Sequence, residues 1–337
     1  MQIHDINDYY RPRRFPWLPV TLIGIAVIAV GLYAYSKWGG ATTPEQDRTL
    51  ADLSSEVQVS GDITPLTSGT KTPPPSVSTK KPVPTPMPLN PLPTAQIDAA
   101  LVDCRKLEAD GNLEAAREKY LSILDRTGGN VRLQIEDAIG RLSIELLTTP
   151  RPMAGKVEYV IKSGDSLSKI AAKFNCPVLL IQKANRISDP MKIRPGDRLI
   201  LPDHPDFSVL VSKSQNTLSL LLGGRLFKKY SVGTGIHSKT PVGTFRITDK
   251  ISEPPWWPGD GRSAIPFGSP ENILGTHWLA LEATGDTPKL RGYGIHGTWD
   301  ENTIGKQSSA GCVRMKNAEV GEVFMLLPRN TPVTIVE

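Results

Sequence analysis

The sequence predicts a multidomain protein: a β-rich, sandwich- or barrel-like C-terminal domain with one short helix, preceded by a compact β-α-α-β unit and a small α-helical segment. Three observations predict it. Residues 207–337 hold short alternating or continuous apolar runs punctuated by glycine turns, the pattern of strands and hairpins. Residues 156–203 read strand, helix, helix, strand. Residues 95–150 repeat apolar side chains every three and four positions, as one face of a helix requires.

Bulk properties narrow the partners. The chain has 337 residues, 30 of them proline and clustered, and a net charge of +5. That charge suits an anionic partner. No helix-turn-helix, RNA-binding sheet motif or zinc finger is present, so nucleic acid is not expected, whereas anionic wall polymer or lipid headgroups fit. Cys104, Cys176 and Cys312 are scattered and odd in number, which argues against a disulfide framework and leaves at least one free thiol. No metal-ligand spacing occurs, and no cofactor is expected.

Taken in order, residues 1–16 carry Arg11, Arg13 and Arg14 and precede an uncharged apolar run, Leu18 to Tyr35, flanked by aromatic residues. Residues 17–38 as a helix would span roughly 30 Å, the thickness of a bilayer core. The positive-inside rule keeps residues 1–16 cytoplasmic and exports the rest. A cleaved signal peptide is the rival reading; the run is long for one, and Tyr35-Ser36-Lys37 is a poor cleavage site. An uncleaved single-pass anchor in a bacterial cytoplasmic membrane is therefore expected. Residues 39–94 hold no Phe, Trp or Tyr and are rich in Pro, Thr and Ser, the composition of an extended tether.

In residues 95–150, Ile97, Ala100, Leu101, Cys104 and Leu107 share one helical face, and Asp110-Gly111-Asn112 breaks it. Leu113 to Arg126 resumes around Ala116, Tyr120 and Ile123, with Gly128-Gly129 closing that helix. A third run carries Ile135, Ala138, Ile139, Leu142 and Leu146 up to Pro150. The segment resembles one tetratricopeptide-type hairpin, and a protein partner could dock on it.

Residues 156–203 begin with the strand Val157 to Lys162 and the turn Ser163-Gly164-Asp165. An inward-facing set follows, Leu167, Ile170, Ala171 and Phe174, then a helix from Val178 to Asn185, the turn Pro195-Gly196-Asp197 and a strand from Arg198. With Tyr159-Val160-Ile161-Lys162-Ser163-Gly164-Asp165-Ser166-Leu167 and Ile193-Arg194-Pro195-Gly196-Asp197, the unit resembles a LysM domain. The resemblance implies recognition of N-acetylglucosamine-containing glycan by two loops, here Gly164, Asp165 and Ser166, and Ile187, Ser188 and Asp189. Nine basic against five acidic residues between Lys156 and Asp203 favour an anionic wall.

In residues 207–337, strands are expected at Ser208–Ser212, Thr217–Leu222, Arg225–Val232, Thr244–Thr248, Trp278–Glu282 and Pro332–Val336. A helix from Ala318 to Leu327 is expected with Asn317 as its cap. Two short segments carry chemistry: Gly294-Ile295-His296-Gly297-Thr298 and Ser308-Ser309-Ala310-Gly311-Cys312-Val313-Arg314-Met315. An imidazole near a thiol makes a cysteine a useful nucleophile. Glycine before the cysteine admits a substrate carbonyl and presents the N–H groups of Gly311 and Cys312 as oxyanion donors. Arg314, two residues on, shares the Cys312 face of an extended segment and can hold a carboxylate. Either residue alone is weak evidence, but a glycine-framed His and Cys together are specific.

With Gly233-Thr234-Gly235, Lys239-Thr240-Pro241-Val242-Gly243-Thr244-Phe245 and Asn272-Ile273-Leu274-Gly275-Thr276, this stretch resembles the L,D-transpeptidase catalytic domain of the YkuD type. The resemblance implies Cys312 as nucleophile, His296 as base, the Gly297 carbonyl orienting the imidazole, Ser309 shaping the loop, and Gly311 and Arg314 meeting the substrate. The chain departs from the family pattern at Ala310, where histidine is common. His237 and His277 compete as bases but lack the glycine frame. Trp256, Trp257 and Trp299 are candidates to line the cleft. The implied activity is 3→3 cross-linking of peptidoglycan stem peptides through a cysteine thioester. An L,D-carboxypeptidase using water, or a catalytically dead wall-binding scaffold, are the alternatives.

Overall fold

The computed structural model describes residues 90–258, 262–289 and 291–337. The expected cytoplasmic segment 1–16, the anchor at 17–38 and the tether up to residue 89 lie outside the described residues. Among the described residues no helix is long and apolar enough to cross a membrane.

Three helices come first: α1 (Thr94–Ala109), α2 (Leu113–Leu124) and α3 (Gly129–Thr148). Their apolar faces meet through Leu101, Cys104, Ala116, Tyr120 and Ile123. Gly129 does not close α2, as the sequence suggested; it opens α3 at φ 56°, a left-handed conformation that favours glycine. The end of α3 is held by Lys156, whose ammonium donates to the carbonyls of Leu146, Thr149 and Arg151 at 2.8, 2.5 and 3.0 Å. A cation there offsets the partial negative charge of the helix C-terminus.

The β-α-α-β unit follows: β1 (Lys156–Val160), α4 (Leu167–Lys173), α5 (Val178–Ala184) and β2 (Arg198–Pro202). β1 and β2 pair antiparallel, Tyr159 opposite Leu199. Ile161, Leu167, Ile170, Ile181, Leu199 and Leu201 make a small core of its own. Asn185 ties helix to strand, accepting from the Ile200 N–H at 2.7 Å and donating to the Ile200 carbonyl at 2.8 Å.

The remainder builds a mixed eight-stranded sheet in the order β11-β9-β8-β7-β12-β3-β4-β5. Its strands are β3 (Phe207–Ser212), β4 (Thr217–Leu222), β5 (Arg225–Ser231), β7 (Gly243–Ser252), β8 (His277–Thr284), β9 (Gly294–His296), β11 (Val313–Arg314) and β12 (Pro332–Val336). A short parallel pair, β6 (Thr234–Gly235) with β10 (Gln307–Ser309), stands beside it. Helix α6 (Asn317–Leu326) packs on β8 and β9. Yet β5, at the opposite edge, reaches the same helix: Lys228 and the Tyr230 hydroxyl donate to Glu322 at 2.6 and 2.7 Å. The sheet is therefore strongly curled.

The helical segment is not an independent appendage. α3 lies on β5 so closely that a Cβ on Gly140 would stand 2.9 Å from Cγ of Lys228. Glu136 accepts from Lys229 at 3.1 Å, and Ile135, Ile139 and Leu142 join one core with Leu218, Leu220 and Phe227. The apolar face of α3 is thus spent within the chain. A fragment starting at Lys156 should lose this cover, each buried aliphatic side chain being worth about 1.5–3 kcal/mol. We expect it to be insoluble, or to melt at least ~10 °C below one starting at Asn90, in parallel thermal denaturation.

Candidate active site

The curl brings two glycine-framed segments to one sheet edge. β11 runs parallel to β9, with Arg314 opposite His296 and Val313 opposite Ile295. Val313 and Ile295 point into the core, both about fully buried. Strand alternation puts His296 and Arg314 on the other face, and Cys312, two residues before Arg314, on that same face. Cys312 is half-buried, and Sγ lies 3.5 Å from the Gly292 carbonyl.

His296 is 2 % exposed and stacked on Trp278, ring centroids 5.7 Å apart. Its Nδ1 sits 2.6 Å from the Gly297 carbonyl. A carbonyl has no proton to give, so Nδ1 carries the hydrogen and Nε2 keeps its lone pair. Burial lowers the imidazole to about 4; the carbonyls of Gly297 and Leu274 oppose that shift, while the charge of Arg314 adds to it. Burial pushes the Cys312 thiol up, against the backbone at Gly294 and the charge of Arg314. At neutral pH the pair rests as thiol and neutral imidazole, not as an ion pair.

The cysteine loop is held from below. Ser309, 2 % exposed, donates from Oγ to the Cys312 carbonyl at 2.6 Å and accepts from the Gly311 N–H at 3.1 Å. That second bond changes the oxyanion expectation: the Gly311 N–H is committed to Ser309, which leaves Cys312's N–H as the candidate donor. Gly311 has φ 143°, and a Cβ there would stand 2.8 Å from the Tyr293 ring. Arg314 pairs through its backbone with Gly233 in both directions at 2.8 Å, and its Nε is buried with no hydrogen-bond partner. Ala310 is exposed.

Two positioning residues were not singled out from the sequence, and a third, Asn317, was read there only as a helix cap. Thr240, 1 % exposed, donates from Oγ1 to the Gly311 carbonyl at 2.9 Å and accepts from the Gly235 N–H at 2.7 Å. Asn272 donates to the Pro254 carbonyl at 2.9 Å and accepts from the Leu274 N–H at 2.9 Å, fixing the segment before Gly275. Asn317 does not cap α6; the N-cap is Lys316, without a side-chain bond. Its Oδ1 instead accepts from the Thr276 N–H at 3.0 Å and crowds Gly275 and Gly297, where a Cβ would come within 2.3 and 2.2 Å. Thr240 and Asn272 lie inside the quoted Lys-Thr-Pro and Asn-Ile-Leu-Gly-Thr segments, which was the available signal.

Thr240→Val keeps the shape and removes both bonds, leaving a buried N–H and carbonyl unpaired. Each costs about 1–3 kcal/mol. We expect a lower melting temperature and roughly tenfold slower acylation of Cys312, read by intact mass against time.

His277 is buried against Phe324, ring centroids 4.6 Å apart, with Nδ1 2.9 Å from the Thr276 hydroxyl. Burial and the charge of Lys250 lower it to about 4. His237 is exposed in a 3-10 turn at φ 48°. Trp257 and Trp299 are 69 % and 54 % exposed, and Trp299 faces Phe267 at 6.1 Å. Cys104 and Cys176 are buried, and burial raises their thiols to about 11 and 12, which makes them inert.

The residues named for glycan contact lie apart, in the β-α-α-β unit. Asp165 accepts from the Tyr159 hydroxyl at 2.7 Å and the Lys162 N–H at 2.8 Å, and Ser166 caps α4 by accepting from the Lys169 N–H at 3.2 Å. Asp189 accepts from the Met191 N–H at 2.9 Å. Ile187 packs against the small core, while Gly164 and Ser188 are exposed. The side chains of Asp165 and Ser166 are thus engaged in their own turn.

Residues 206–335 match the L,D-transpeptidase catalytic domain family (YkuD), and residues 159–202 match the LysM domain family. The chain is 33 % identical over 183 residues to the Bacillus subtilis protein named "Putative L,D-transpeptidase YkuD", covering 52 % of this chain and 97 % of that one. It is 38 % identical over 138 residues to "Putative L,D-transpeptidase YqjB" of the same organism, 41 % and 74 % covered. Among solved structures, an L,D-transpeptidase from Mycobacterium smegmatis is 18 % identical at TM-score 0.31, covering 42 % of this chain and 64 % of that one.

Proposed function

This chain belongs to the L,D-transpeptidase family, and on that premise we propose that it is a peptidoglycan L,D-transpeptidase whose nucleophile is Cys312. The observation that carries the reading is the pairing of β11 with β9, which sets Arg314 opposite His296 and Cys312 two residues before it, with the imidazole Nδ1 tied to Gly297. Cys312 Sγ attacks the carbonyl of the third stem residue, and its proton passes to Nε2 of His296. The Cys312 N–H meets the developing oxyanion. The peptide bond breaks, terminal D-alanine leaves with that proton, and a thioester remains on Sγ. An amine of a neighbouring stem then attacks, giving its proton to His296, and the thiol is restored as a 3→3 cross-link forms. Arg314 holds the stem carboxylate.

The LysM unit binds the glycan strand, and the N-terminal segment tethers the enzyme to the outer face of the cytoplasmic membrane, with residues 39–94 as spacer. Water as acceptor in place of the amine would make the same site a carboxypeptidase, a reading that the partial exposure of Cys312 favours. Incubation with defined disaccharide-tetrapeptides, resolved by mass spectrometry, tests the proposal. Cross-linked dimers are expected. Tripeptides alone indicate hydrolysis, and unchanged substrate with retained glycan binding overturns the enzymatic reading.

A further inference from the structure

Helix α5 is apolar on two sides, and the two sides belong to different cores. Ile181 is fully buried among Ile170, Leu199 and Leu201 of the LysM unit. Leu180, its neighbour, is equally buried but joins the core shared by α3 and the catalytic sheet. α5 packs against both α3 and α6. α6 is the helix whose first residue, Asn317, presses on Gly275 and Gly297 beside His296. A seven-residue surface helix needs one apolar stripe to hold its own module together; the second stripe is spent on holding the module to the catalytic body.

We propose that Leu180 is a specificity-determining clamp, fixing the LysM unit in one orientation relative to Cys312 so that the enzyme selects stem peptides by their place along a bound glycan strand. The proposal rests on the function proposed above. Stem peptides recur at a regular spacing on a strand, so two sites held rigidly can engage one polymer together only where strand spacing matches site spacing. A matched rigid pair gains a high effective concentration, and a loose pair gains much less. The clamp therefore raises turnover on long strands and leaves soluble fragments, which cannot reach both sites, unaffected.

The test compares the full chain with Leu180→Asp and the milder Leu180→Ala on long glycan strands bearing tetrapeptide stems and on soluble disaccharide-tetrapeptide. Leu180→Asp is expected to keep strand binding in a pull-down and turnover of the soluble substrate within about twofold. It should lose roughly tenfold of its turnover on strands, with Leu180→Ala between. Limited proteolysis at residues 203–206 reports whether the unit has been freed, and if Leu180→Asp does not fold, Leu180→Ala carries the comparison. A freed LysM unit with the wild-type ratio of strand to fragment turnover overturns the clamp. Wild-type protein inert on both substrates overturns the underlying function instead.

Discussion

Cys312→Ala will abolish acyl transfer, by about 10⁴-fold or more, while the protein stays folded and still binds glycan. Incubated with a carbapenem, the wild-type chain should gain the mass of one drug molecule and Cys312→Ala none, because burial leaves Cys104 and Cys176 as inert thiols. The fold should survive because Cys312 is only half-buried and contributes little core packing. Its loop is held by other groups, Ser309 and Thr240. His296→Gln should slow the adduct without removing it, since the thiol remains and only its proton acceptor is lost. Iodoacetamide gives the independent check. A resting thiol reacts slowly at pH 7 and faster as pH climbs towards its raised value, whereas a preformed thiolate would react at a constant rate from pH 6 upward. An adduct persisting in Cys312→Ala would displace Cys312 as nucleophile.

The elements with period and length were legible in the sequence. Thr217–Leu222 was predicted to the residue, and the LysM unit was readable because glycine marks the turns after its first strand and before its last, and each helix has its own inward face. β6, β9, β10 and β11 were not, because strands of two or three residues show no alternation; they exist through pairing with distant segments. The candidate residues were named from local glycine framing; the structure sets Arg314 opposite His296 on paired strands and ties Ser309 to the Cys312 carbonyl. What orders them was hidden, since Thr240 and Asn317 act across 71 and 41 positions of chain. Asn317 also illustrates a conflict between levels. Its position before an apolar run read as a helix cap, and the tertiary site takes its carbonyl oxygen for the Thr276 N–H instead. The same applies to α3, whose amphipathic face could be seen but whose partner, β5, could not.

Acidification should unfold the protein well before its carboxylates alone would require it. His296 and His277 are both buried and both held down to about 4, by burial first. In the unfolded chain each would titrate near 6.5. Between these values the unfolded state binds protons that the folded state refuses, so stability rises with pH across the window. The contribution is complete above about pH 6.5 and is lost as pH falls towards 4. Between pH 7 and pH 4.5 it amounts to on the order of 5 kcal/mol, a large share of an ordinary domain's 5–15 kcal/mol. Urea denaturation at pH 7 and pH 4.5 measures it. His277→Gln should cost some stability at pH 7 and flatten the slope between the two pH values. His296→Gln should flatten it again and slow acylation. A wild-type slope retained in both variants would show that neither imidazole is held neutral by the fold, and would remove the basis for a resting thiol–imidazole pair.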